Sequence, residues 1–318
     1  MTVLPTDVTL SNQRGWAVGW RHLKGRTFQR MSRSAMPLFV RPGDVISVDP
    51  IVGGAHEPHI ADFFNACADY GYADFFIDVG ANIGLTAVPA AIRFKRIYAF
   101  EPNPLAFQIL AVNAACSDHP EKFELNNFGI GDQDVRLNLM IPKHNWGGAF
   151  IDAPENIYSQ ETLSAKDNFS SLDMANYLRR EVDVHSGRDV FAARFADILA
   201  SGGRCGVVKI DVEGFELSVI SEIAKAFPPD LAAYVIFENW EPSVSVGQFA
   251  ASFGSRVQAF TFRSQPITPR RAPRFVKALR FVAGLPFGWS DARYCLQTVS
   301  DPQERIMGDL VLHIGPNR

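Results

Sequence analysis

The chain has 318 residues, 47% of them hydrophobic and 20% charged, with a formal net charge of −3 at neutral pH. Such a composition supplies a sizeable core and excludes a disordered tail or a disulfide-stapled mini-scaffold. No run approaches about 18 consecutive apolar residues, and Cys67, Cys116, Cys205 and Cys295 form no CxxC pair, so the sequence reads as a soluble, cytoplasmic protein with reduced thiols.

Residues 1–35 are mixed and basic without a clean period, and an arm is expected there. Up to Arg41 the chain carries seven basic residues against the single acid Asp7. Pro37–Asp49 reads as extended chain broken by a Pro-Gly turn, and His59–Tyr70 places Ile60, Phe63, Phe64 and Cys67 at helical spacing. From there strand and helix alternate. Phe75–Val79 reads as a strand, Leu85–Phe94 as a helix, Arg96–Phe100 as a strand, Pro104–Ala115 as a helix and Lys122–Ile130 as a strand. That order predicts a parallel sheet with right-handed crossovers. Asp134–Ile141 alternates apolar and polar residues like a further strand. Residues 152–180 form a long polar insertion. Phe191–Ala200 and Glu216–Phe227 follow as helices, with Gly206–Ile210 and Ala232–Glu238 as buried strands. Arg256–Phe262 and Asp309–Ile314 close the chain as a hairpin around a basic excursion, about 265–306. Pro242–Ser290 holds seven basic residues and no acid, a segregation suited to steering an anionic partner or meeting a membrane surface.

The most specific local pattern is Phe76-Ile-Asp-Val-Gly-Ala-Asn-Ile-Gly84. An acid, Asp78, ends a buried strand, and Gly80 and Gly84 flank a tight turn into a helix whose N-terminus offers free N–H groups. Asn82 stands where a dinucleotide fold needs its second glycine, so the turn suits a ligand without a pyrophosphate. About twenty residues on, Glu101 ends the next strand in Tyr-Ala-Phe-Glu-Pro-Asn-Pro, where a carboxylate can accept both ribose hydroxyls.

FIDVGANIG, YAFEPNP, NFGIGD, NWGGA and VKIDVEGFE, with GGAHEP upstream, together resemble the FkbM family of class I S-adenosylmethionine-dependent methyltransferases over roughly Asp44–Glu241. The resemblance implies an α/β, Rossmann-like sheet of seven mostly parallel strands with the last one antiparallel. The chain is expected to divide into residues 1–70, a basic arm plus opening strand and helix, and 71–318, the methyltransferase domain, with residues 1–35, 152–180 and 265–306 outside the resemblance. Carried over by position, the resemblance implies that Asp78, Gly80, Asn82 and Gly84 surround the methionine moiety of S-adenosylmethionine. Glu101 would hold the ribose with Asn103 beside it, Phe128 and Gly129 would flank the adenine, and Glu57 would either approach the cofactor amino group or cap the His59 helix.

Asp211 and Glu238 end neighbouring buried strands, where an unpaired charge is costly. Asp211, or else His144, is a candidate general base, and Asp211 with Glu238 is a candidate Mg²⁺ pair. The implied activity is O-methylation of a hydroxyl on a sugar, glycan, glycolipid or polyketide-like acceptor, anionic or lipid-linked at the inner membrane surface if the basic excursion steers it. An NAD-dependent oxidoreductase and a non-catalytic S-adenosylmethionine-binding module are the alternatives. No nucleic-acid-binding module is recognisable.

Overall fold

The computed structural model describes residues 23–24, 38–41, 43–47, 57–159, 162–163, 173–266 and 292–316. The expected first helix is α1 (Pro58–Asp69), with Ile60, Phe63, Phe64 and Cys67 buried. Next come β1 (Phe75–Val79), the short helix α2 (Ala87–Ala90), β2 (Ile97–Phe100), α3 (Pro104–Ala115) and β3 (Phe123–Asn126). Then follow β4 (Gly129–Gly131), β5 (Val135–Pro142), β6 (Phe150–Asp152), β7 (Tyr177–Ser186) and α4 (Gly187–Ala200). The last described elements are β8 (Cys205–Ile210), α5 (Glu216–Ala226), β9 (Ala232–Asn239), α6 (Val246–Ala250), β10 (Val257–Pro266), β11 (Ala292–Thr298) and β12 (Gly308–Ile314).

The main sheet has eight strands in the order β11-β10-β12-β9-β8-β1-β2-β3. β3, β2, β1, β8 and β9 run parallel, whereas β12 is antiparallel to both β9 and β10. This is a Rossmann-like sheet with the expected antiparallel final strand, enlarged by one edge strand. β11 pairs with β10 from Phe260–Thr298 to Pro266–Ala292 and was hidden in the basic excursion. Strand periodicity divides the core in two. Phe75, Ile77 and Val79 of β1 pack with Phe191 and Phe195 of α4 and Val219, Ile220 and Ile223 of α5. Phe76 faces the other way, onto Phe63, Phe64, Phe94 and Leu110.

Three expectations change. The run expected as one strand to Ile130 stops at Asn126, and Gly129–Gly131 crosses into a second sheet of order β4-β7-β5-β6. The alternating segment after Asp134 belongs to that second sheet, and β7 begins at Tyr177, inside the expected polar insertion. The helix expected over Leu85–Phe94 is α-helical only at Ala87–Ala90. Pro89 removes one donor there, and the chain continues in tighter turns, Ile92 N–H to Pro89 O and Arg93 N–H to Ala90 O. Arg270 to Arg280 and all of the arm except Leu23 and Lys24 lie outside the described residues.

Candidate active site

The carboxyl ends of β1, β2, β8 and β9 open into one cleft with about 200 Å³ of internal space. Gly80 starts it. At φ +85° it adopts a backbone that L side chains avoid, and a Cβ there would lie 1.9 Å from the Asp211 carbonyl oxygen. The glycine thus lets the β1 turn press against β8, whose Asp211 N–H donates to Val79 O at 2.8 Å. Gly84 meets a different demand: its Cβ would strike Val88 and Leu110, so it permits close packing on α3 and does not line the cleft.

Glu101 is 6% exposed and receives two backbone donors, Asn82 N–H on Oε2 and Asn103 N–H on Oε1, each at 2.7 Å. Burial pushes its carboxyl up to about 7 despite those donors. Asn82 holds a left-handed backbone (φ +50°) that Asn tolerates, lines the cleft, and keeps its buried Oδ1 without a hydrogen bond. Asn103 is wholly buried, and its Oδ1 accepts from Leu105 N–H as the N-cap of α3. It therefore orders Glu101 from behind and does not line the cleft. Phe128 and Gly129 do line it, on the β3–β4 crossing, with Phe128 packed against Phe100 and His185.

Sequence reasoning missed Lys209. It stands opposite Asp78 in the β1–β8 register, with Nζ 3.7 Å from Asp78 Oδ1 and 2.9 Å from Asp211 Oδ2. Burial opposes its charge, but the Asp211 and Asp78 carboxylates outweigh that and hold the ammonium above its ordinary range. The clue was available: a lysine inside the apolar run Gly-Val-Val-Lys-Ile requires a buried counter-ion. Asp78 has no exposure, and burial first, with Asp211 adding to it against Lys209, pushes its carboxyl up to about 6. It sits beneath the cleft floor rather than in its lining. Asp211 lines the cleft with 41% of its side chain exposed.

Glu57, Glu213 and Glu238 also line the cleft. Glu57 stands at the N-cap of α1, where its backbone carbonyl accepts from Ile60 and Ala61 N–H and its side chain makes no capping hydrogen bond. Glu238 accepts from the Trp240 indole N–H. His144 is exposed and outside the lining, although its neighbours Asn145 to Ala149 form one wall. The expected Mg²⁺ pair is not supported. Asp211 is engaged by Lys209, and no three His, Cys, Asp or Glu side chains among the described residues converge as a metal-binding set.

A strap, residues 38–41 and 43–47, adds to the wall of the cleft through Ile46 and is anchored by Asn113 of α3. Asn113 Oδ1 accepts from Phe39 N–H at 2.7 Å, and its amide donates to Phe39 O and Ile83 O. Asp44 accepts from Arg41 and from Trp146 N–H, Arg41 stacks over the Trp146 ring, and Ile46 joins the cleft wall.

Residues 78–263 match the family description "Methyltransferase FkbM domain", more than half of the chain. The chain belongs to the FkbM methyltransferase family. It is therefore an S-adenosylmethionine-dependent methyltransferase, and neither the oxidoreductase nor the non-catalytic alternative is retained. Methyltransferase sdnD of Sordaria araneosa is 26% identical over 175 residues, which cover 53% of this chain and 67% of that protein. The 31-O-demethyl-FK506 methyltransferase FkbM of Streptomyces tacrolimicus is 27% identical over 184 residues, covering 56% and 70%. Among solved structures, a methyltransferase FkbM from Methylobacillus flagellatus aligns at 14% identity and TM-score 0.29, over 67% of this chain and 48% of that one.

The cleft of this FkbM methyltransferase has features that fit its cofactor. Glu101 offers a carboxylate to a diol, Gly80 leaves the floor free of side chain, and Asn82 keeps an unpartnered buried acceptor atom. No helix among the described residues is long and apolar enough to cross a membrane.

Proposed function

We propose that this FkbM methyltransferase is an O-methyltransferase for a hydroxyl on a small sugar, glycan, glycolipid or polyketide-like acceptor. The observation that carries the reading is Asp211, a carboxylate open to the cleft whose backbone and side chain are both fixed. The Streptomyces relative, named for a 31-O-demethyl substrate, supports an oxygen acceptor.

When bound, S-adenosylmethionine supplies an electrophilic methyl group on a sulfonium. The chain's part is to hold the donor, align the acceptor and remove its proton, and alignment provides much of the rate in such a displacement. Glu101 accepts the ribose hydroxyls, the Gly80–Asn82 turn receives the methionine end, and Phe128 and Gly129 bound the adenine. Asp211 takes the acceptor hydroxyl proton, a role worth roughly 10²–10⁴-fold. Glu57, Glu213 and Glu238 leave the remaining wall acidic, which suits a neutral polyol at the reacting end. An anionic or lipid-linked portion of the acceptor would then be met by the basic excursion.

The test is a methyl-transfer screen over glycosides, glycolipid headgroups and polyketide fragments with radiolabelled cofactor. With the acceptor so found, Asp211→Asn should lower kcat by about 10² or more while cofactor affinity changes less. Full turnover in that variant would place the base elsewhere.

A further inference from the structure

Lys209 has no part in the chemistry described above, yet its position is unusually constrained. Its Nζ lies between a carboxylate with no solvent exposure, Asp78 Oδ1 at 3.7 Å, and one open to the cleft, Asp211 Oδ2 at 2.9 Å. The lysine itself is 9% exposed and lines the cleft. Asp211's backbone is already fixed by the Val79 carbonyl and by the close approach of Gly80. The ammonium in turn holds its side chain. The rest of the wall supplies Glu57, Glu213 and Glu238, with no other lysine or arginine among the described residues of the lining. Lys209 is thus the cation that offsets Asp211 in a site whose cofactor carries a sulfonium before transfer and an uncharged thioether after it.

We propose that Lys209 is a positioning residue of the methyl-donor site: it aims the Asp211 carboxylate and cancels its charge, and so sets how strongly the cleft prefers the sulfonium cofactor over its thioether product. The proposal rests on the methyl-donor reading of the cleft. Unopposed, Asp211 would stabilise the sulfonium before reaction, and binding the starting state more tightly than the transition state slows turnover. The charge is also what keeps Asp78 from standing alone in the core.

Calorimetric titration of S-adenosylmethionine and S-adenosylhomocysteine into the full chain tests this without knowledge of the acceptor. Lys209→Met should raise the ratio of the S-adenosylhomocysteine Kd to the S-adenosylmethionine Kd by about three- to tenfold, as expected for an unscreened charge at a partly exposed site. Lys209→Arg should keep the wild-type ratio, and Lys209→Met with Asp211→Asn should restore it. A purely structural lysine would weaken both ligands together, so an unchanged ratio in Lys209→Met overturns the proposal. A raised ratio that persists after Asp211→Asn overturns it as well. If Lys209→Met does not fold, Lys209→Met with Asp78→Asn removes both buried charges and carries the same comparison. Failure of either ligand to bind the folded wild type would overturn the methyl-donor reading and this proposal with it, a result distinct from binding with an unchanged ratio.

Discussion

Glu101 combines two short backbone hydrogen bonds with nearly complete burial, and burial dominates, pushing its carboxyl up to about 7. The folded value exceeds the ordinary carboxylate value. Its cost to the fold is therefore full above about pH 7 and is relieved as pH falls from about 7 toward the unfolded value near 4.5. Cofactor binding has the opposite dependence, because the ionised carboxylate is the form that accepts both ribose hydroxyls. Affinity for S-adenosylmethionine should fall as pH drops below about 7, by up to about tenfold per unit. In Glu101→Gln the affinity should be lower and should lose the dependence centred on about pH 7, a change that calorimetry at several pH values reads directly. Glu101 was legible in the sequence because it closes an apolar run, and Lys209 was overlooked because it sits inside one. Asn103 was legible as the neighbour of Glu101: its side chain caps α3, and its N–H donates to the Glu101 carboxylate.

At the scale of elements, the runs Phe75–Val79, Ile97–Phe100 and Cys205–Ile210 were readable because helices cover both faces and demand apolar residues at nearly every position. The second sheet was harder to read. β4 and β6 are three residues long, and β7 alternates charge with burial at the edge of a polar stretch. β11 was concealed by its setting among basic residues. The strap is an element without regular periodicity, held by side chains whose partners lie far along the chain, such as Phe39 with Asn113 and Asp44 with Trp146. Asn113 has no exposure and supports three backbone groups at once. Asn113→Ala should lose roughly 2–4 kcal/mol of stability and speed hydrogen exchange at 38–47. Cofactor affinity should fall with it, since Ile46 lines the cleft; protection at 38–47 equal to wild type would show that other contacts hold the strap.

For the whole molecule, charge is segregated between an acidic cleft and basic flanking segments. Not every basic residue of the C-terminal segment is free to steer. Arg256 spends its guanidinium on the carbonyls of Gly315, Pro228, Pro229 and Leu231 and lies over the Phe227 ring. Steering would thus fall chiefly to Arg270, Arg271, Arg274, Lys277 and Arg280, which lie outside the described residues. If they form the membrane-facing surface expected from the sequence, the chain should co-sediment with vesicles containing anionic phospholipid at low salt. It should be released as the Debye length shrinks below about 10 Å above 0.1 M salt. Neutralising Arg270, Arg271 and Arg274 together should weaken sedimentation and leave cofactor affinity unchanged; equal sedimentation of the variant would remove the membrane reading.

The central claim is that the strand-end cleft holds S-adenosylmethionine through Glu101, and calorimetric titration of that cofactor into the wild type and Glu101→Ala tests it most directly. Loss of a charge-assisted hydrogen bond costs roughly 1.5–3 kcal/mol. The wild type should bind at one site per chain, and the folded variant should bind about ten- to a hundredfold more weakly. An identical dissociation constant in the two proteins, or no binding to the wild type, would contradict the account.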